Sequence, residues 1–241
     1  MKGLGKVFIS FWMFILFEGN LHGQEKINTV GIQIKPIFSS AFFGTGPQQI
    51  TDSSYRYNLK PATGFAAGMV VRRGYTKNLS LEFGINYVRR NYSVGTDHSS
   101  KQTTTNFRII GYEIPVSQLV FIRLGKQVFM NVSAGLCLNM FPSDVQKPGE
   151  VVYIYGGRQK IFNASLIANL GIEYRTSKSG YYYLGASLNR PFGPIYAMSV
   201  QYIVNNTIQN QVITNLKGSY LTIDFRYFFH EDPAKKAARK K

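Results

Sequence analysis

The sequence predicts an all-β fold: an eight-stranded, antiparallel, up-and-down transmembrane β-barrel. Three observations predict it. Eight segments alternate apolar and polar residues with period two, the connections between them alternate short and long, and the chain opens on an export signal with no further helical span. A period of two puts the apolar residues of a segment on one face and its polar residues on the other. An even strand count, with short turns on one side and long loops on the other, is the connectivity of a barrel that crosses an outer membrane.

The export signal comes first. Lys2 and Lys6 precede the apolar run Val7 to Phe17, and a more polar stretch leads to Gly23-Gln24. A basic start, a short apolar run and a small residue before a polar one describe a cleaved secretory signal. The run is too short for a spanning helix, which needs about 20 apolar residues. The expected organisation is a signal peptide over 1–23, a barrel domain over 24–229 and a basic tail over 230–241.

The eight strands follow in order. The first sets Val30, Ile32 and Ile34 against Gly31, Gln33 and Lys35. The second alternates along Phe65, Ala67, Met69 and Val71, and the third along Leu79, Leu81, Phe83, Ile85 and Tyr87. The fourth carries Ile110, Tyr112, Ile114 and Val116, and the fifth runs from Val128 to Leu138. The sixth runs from Phe162 to Tyr174, the seventh from Tyr182 to Leu188, and the eighth from Leu221 to Phe229. Short turns are expected at 73–78, 124–126 and 176–180, and long extracellular loops at 39–60, 91–106, 141–160 and 191–217. Ile195 to Val204 is itself strand-like and is expected in a hairpin protruding above the seventh strand.

Residue size decides which row faces inward. Strands one to seven each carry a glycine on the polar row: Gly31, Gly68, Gly84, Gly111, Gly135, Gly171 and Gly185. A glycine relieves crowding inside a narrow barrel and gains nothing against lipid. The apolar rows therefore face out, and Tyr87, Tyr112, Tyr174, Tyr182, Tyr227 and Phe229 are expected in aromatic girdles. The inward rows then bring together Lys35, Arg72, Glu82, Glu113, Glu173, Asp224 and Arg226, with Asn86, Asn131, Asn163, Asn169 and Asn189 around them. Eight strands enclose only enough space for side chains, and buried charges must be paired. The expectation is a salt-bridged, plugged lumen rather than a channel.

Composition removes other classes. The formal charge is +16, and +12 remains once the signal and tail are set aside. An exported cationic chain meets lipid and lipopolysaccharide phosphates rather than nucleic acid. One cysteine, Cys137, and three histidines exclude an internal disulfide, a multi-cysteine zinc site and a histidine-rich metal centre. No cofactor, metal ligand or catalytic residue is assigned. His98, between Asp97 and Ser99-Ser100, is the one candidate base for lipid-modifying chemistry, but three loop neighbours do not make a triad. The expectation is a non-enzymatic barrel, with lipid A acyl chemistry or a small pore as the alternatives.

Glu113-Ile114-Pro115-Val116 in the fourth strand and Leu221 to Phe229 in the last give a resemblance to the PorT-like outer-membrane β-barrel family. It extends over nearly all of the mature chain and specifies architecture rather than activity. The resemblance implies an outer-membrane location and recognition of Tyr227 and Phe229, near the end of the last strand, by the barrel-assembly machinery. It also implies envelope protein partners. That family includes a component tied to type IX protein secretion.

Overall fold

The computed structural model describes residues 28–40, 43–52, 55–76, 78–98, 101–149, 151–176, 179–205 and 207–229. The expected signal segment and basic tail lie outside them, as do the side chains of Asp97 and His98.

The described residues form thirteen strands: β1 (Asn28–Phe38), β2 (Gln48–Asp52), β3 (Tyr55–Gly74), β4 (Leu79–His98), β5 (Lys101–Arg123), β6 (Val128–Met140), β7 (Val145–Lys147), β8 (Val152–Arg158), β9 (Phe162–Arg175), β10 (Tyr181–Pro191), β11 (Tyr196–Val204), β12 (Thr207–Leu216) and β13 (Tyr220–Phe228). β1 pairs with β13 on one side and with β3 on the other. The hydrogen-bonded order β1–β13–β10–β9–β6–β5–β4–β3 therefore returns to its start. Eight antiparallel strands close a ring.

Within that ring the apolar rows face outward, as the glycine argument predicts. Ile34, Met69, Ile85, Val116, Leu136, Leu170, Leu184 and Phe225 are all exposed, while Gln33, Glu82, Asn131, Glu173 and Asp224 are buried. The outward rows are apolar apart from Gln118 and, at the edges, Arg190 above and Asn28 and Arg73 below. Aromatic rings bound this belt at both ends. Phe65, Tyr87 and Tyr112 stand side by side at the upper end, with centroids 5.9 and 6.0 Å apart. Tyr182, Tyr227 and Phe229 do so at the lower end, at 5.2 and 5.4 Å. From Tyr112 to Ile122 a strand tilted by roughly 40° rises about 26 Å, close to the apolar band height of a membrane barrel.

The glycines on the inward rows make room for specific neighbours. Gly171 and Gly185 face each other across β9 and β10. A Cβ on either would run into the ring and hydroxyl of Tyr183.

The long connections differ from the expected loops. They are strands, and they build a second body above the ring. β3, β4 and β5 run on past the upper aromatic ring, β2 pairs with the extension of β3, and β12–β11–β8–β7 form a separate four-stranded sheet. The hairpin expected around 195–204 is present as β11 and β12. The two layers enclose a core of their own: Tyr57, Leu59, Tyr92, Val94, Phe107 and Ile109 meet Ile154, Tyr196, Met198, Val200 and Val212. Burying such side chains gains roughly 1.5–3 kcal/mol each, which is why these segments are ordered sheet rather than loop.

The head packs by inverting the barrel's pattern. On β4 the outward residues are Leu79, Leu81, Phe83, Ile85 and Tyr87, then Arg89, Asn91 and Ser93. The inward residues are Glu82 and Asn86, then Val88, Tyr92 and Val94. β5 behaves alike: its outward row from Tyr112 to Ile122 is apolar apart from Gln118, whereas above it Phe107 and Ile109 are apolar and inward. On β3 a bulge performs the inversion. Register shifts by one residue between Ala62 and Phe65, which turns Tyr57 and Leu59 inward although they share odd numbering with the outward Phe65 and Met69.

Candidate functional site

The inward rows meet as a chain of alternating charges. Lys35 Nζ lies 3.2 Å from Asp224, and Arg226 bridges Asp224 at 2.6 Å and Glu82 at 2.5 Å. Arg72 continues from Glu82 at 3.1 Å to Glu173 at 2.5 Å, and Arg175 caps Glu173 at 2.6 Å. Six of the seven lumen residues expected from the sequence stand in this chain. The seventh, Glu113, stands apart in a second cluster at the junction with the head. There it accepts hydrogen bonds from Arg90 at 2.8 Å, from the Tyr220 hydroxyl at 2.6 Å and from Asn189 at 3.3 Å.

Ring order shows what these pairs span. β3 and β9 are four strands apart in a ring of eight, so Arg72–Glu173 crosses the full diameter. β5 and β13 are also four apart, so Tyr220–Glu113 is a second diametric strut, one level higher. The arginines are sandwiched as well as paired. Arg72 lies 4.0 Å from the centroid of Phe228 and 5.2 Å from that of Phe121, and Arg90 lies between Phe141 and Tyr220. Planar guanidinium groups suit this combination of fork-shaped ion pairing and ring stacking.

Asp224 is buried and accepts hydrogen bonds from several side chains. Besides its two cations it accepts from Thr222, Ser187 and Asn169 at 2.5, 2.6 and 3.1 Å. Tyr183 in turn donates to Asn169 at 2.6 Å. Between the two charge clusters a cavity with room for water of about 40 Å³ is bounded by Gln33, Asn86, Ser117, Cys137 and Asn169. That is space for about three waters, and among the lining residues the buried amide oxygens of Gln33 and Asn189 lack a protein partner.

Four participants were not anticipated: Arg90, Arg175, Tyr183 and Tyr220. Each lies on the inward parity of its strand: Tyr183 within the alternating stretch itself, and Arg90, Arg175 and Tyr220 just beyond its ends. Cys137 is buried beside Asn139, with its thiol facing the lumen. Among the described residues no group of three or more His, Cys, Asp and Glu is placed to hold a metal ion.

In the head, burial pushes the phenols of Tyr57 and Tyr196 up to about 12, assisted by Tyr55 and Asp52 in the first case and by Asp144 in the second. Tyr57 donates to Asn210 at 2.7 Å and Asn210 to Asp52 at 2.9 Å, which stitches β12 to the β2–β3 hairpin.

No protein-family model matches the chain, and no curated protein matches it. Among solved structures, the translocator domain of the autotransporter NalP from Neisseria meningitidis aligns at 9% identity, covering 93% of this chain and 94% of that one, with a TM-score of 0.35. The outer-membrane protease OmpT from Escherichia coli aligns at 10% identity over 88% and 97%, with a TM-score of 0.30. The β domain of the Bordetella autotransporter BrkA aligns at 10% over 85% and 98%, with a TM-score of 0.24.

Proposed function

We propose that this protein is an integral outer-membrane β-barrel with a sealed lumen, and that it acts through its head by binding or assembly with envelope partners rather than by catalysis. The observation that carries the membrane reading is the inversion between Tyr87 and Val88 on β4 and between Tyr112 and Ile109 on β5. Below that level the apolar row faces out and the charges face in; above it the apolar row faces in. One chain makes both choices only if its outer solvent changes from hydrocarbon to water at that height. The short turns and both ends of the described barrel lie on the side away from the head, which would be periplasmic in the usual arrangement.

The plug reading is supported by the two diametric struts, since side-chain pairs that span the ring obstruct the lumen at two levels. Membership of the PorT-like family, contact with the barrel-assembly machinery through Tyr227 and Phe229, and any tie to type IX secretion belong to this same proposal.

Three measurements test it. The protein should fractionate with outer membranes and migrate faster unboiled than boiled on gels; recovery in the soluble periplasmic fraction would sink the membrane reading. Planar bilayers should show no steady conductance. Mass analysis of lipid A should be unchanged by loss of the protein; an acyl change that disappears in His98→Ala would establish the enzymatic alternative.

A further inference from the structure

Above the upper aromatic ring, an open cleft of about 800 Å³ separates the outer faces of β4 and β5 from the edge strand β7. That volume falls within the ~300–1,000 Å³ range of small-molecule sites. Arg89, Arg108 and Lys147 line it, and among the described residues none of the three forms an ion pair. The one acid among the described lining residues, Asp144, is already engaged: it accepts the Arg158 backbone N–H at 3.1 Å and lies 3.5 Å from the Arg158 Nε.

The site is built into the barrel–head junction. Arg89 Nε donates to Asn91 Oδ1 at 3.1 Å, and Asn91 Nδ2 donates to the Thr63 carbonyl at 2.7 Å. Thr63 lies in the bulge that inverts β3. The bulge thus braces Asn91, which holds one edge of the Arg89 guanidinium and leaves its two terminal nitrogens without a partner among the described residues. Just below, Ile110 lines the cleft floor, one alternation step above Tyr112 and the apolar belt.

We infer that this cleft binds the phosphate-bearing headgroup of an outer-leaflet lipid. Phosphate matches the fork of an arginine, and the exposed row Tyr112, Ile114 and Val116 continues downward where acyl chains would lie. Free inorganic phosphate would satisfy the arginines but leave most of the volume and the apolar floor unused. The inference rests on the membrane reading above.

Native mass spectrometry of the detergent-folded protein tests it, with phosphorylated lipid A, chemically dephosphorylated lipid A and inorganic phosphate as probes. Phosphorylated lipid A should be retained at least about tenfold better than the dephosphorylated form, the scale of a lost charge-assisted contact. The pair Arg89→Gln and Arg108→Gln should abolish that preference, whereas Arg123→Gln at the opposite end should not. If the double variant fails to give the fast-migrating folded band, Arg108→Gln alone carries the test. Equal retention of both lipids, or an unaltered preference in the variant, overturns the inference. Displacement by inorganic phosphate at matched concentration overturns the lipid source. A protein that does not fold in detergent or float with liposomes refutes the membrane reading instead, so the two failures are distinguishable.

Discussion

Arg72 is held from three directions: by Glu82 on a neighbouring strand, by Glu173 across the ring, and by the rings of Phe121 and Phe228. Truncating it leaves two buried carboxylates short of a cation, a loss of about 3–5 kcal/mol where no water reaches them. Arg72→Ala should therefore lower the temperature at which the fast-migrating band converts to the slow one, while Arg123→Ala, on the exposed lower rim, should not. Equal conversion temperatures would mean that lumen water already screens the network. Gly171 gives a second residue-scale test. Adding a methyl there forces Tyr183 aside and breaks its bond to Asn169, so Gly171→Ala should cost about 1–3 kcal/mol as overpacking, read by the same gel shift.

The phenols of the head make a pH prediction of known sign. Burial favours the neutral form, so folded Tyr57 and Tyr196 keep protons that the unfolded chain loses above pH 10. Where the native state binds more protons, stability falls as pH rises. Head stability should be flat below pH 10 and decline between pH 10 and about 12, followed by phenolate absorbance at 295 nm alongside near-ultraviolet circular dichroism. Phenolate appearing in full at pH 10 with the head intact would contradict the burial.

At the scale of the element, the β3 bulge decides how two bodies share one strand. β3 feeds Phe65 and Met69 to the outer belt and Tyr57 and Leu59 to the head core, and only the extra residue reconciles the two. A slip of one residue moves every side chain to the opposite face. Deleting Gly64 should thus abolish the folded band, because either the belt or the head core must then turn over. Survival of the band in that deletion would show that the head packs without β3. β4 and β5 need no bulge, since their sequences move the apolar residues from one row to the other.

At the scale of the whole molecule, barrel and head are mortised rather than tethered. Three strands pass unbroken from one to the other, and the Arg90–Glu113–Tyr220 cluster sits at the junction beneath Phe141 of the head core. A protease added to intact cells should therefore cut only within the head and should leave the 230–241 tail uncut. Loss of the tail without permeabilisation would invert the orientation.

The eight strands of the ring, their outward face and seven of the inward charges were legible in the sequence, because period-two alternation depends only on each residue's neighbours along its own strand. So was the role of the glycines, since a narrow interior penalises bulk wherever the strand sits. The head was equally present in the alternation of 88–94 and 105–109, but with its phase inverted, and polar residues on the outward row disguised it as loop. Which acid meets which base was decided only in three dimensions. Arg72 reaches Glu173 because ring closure places β3 opposite β9, and Glu113 is separated from the other acids because strand stagger lifts it to the level of Tyr220. Register and closure are properties of strands paired with one another, and no single strand's sequence contains them.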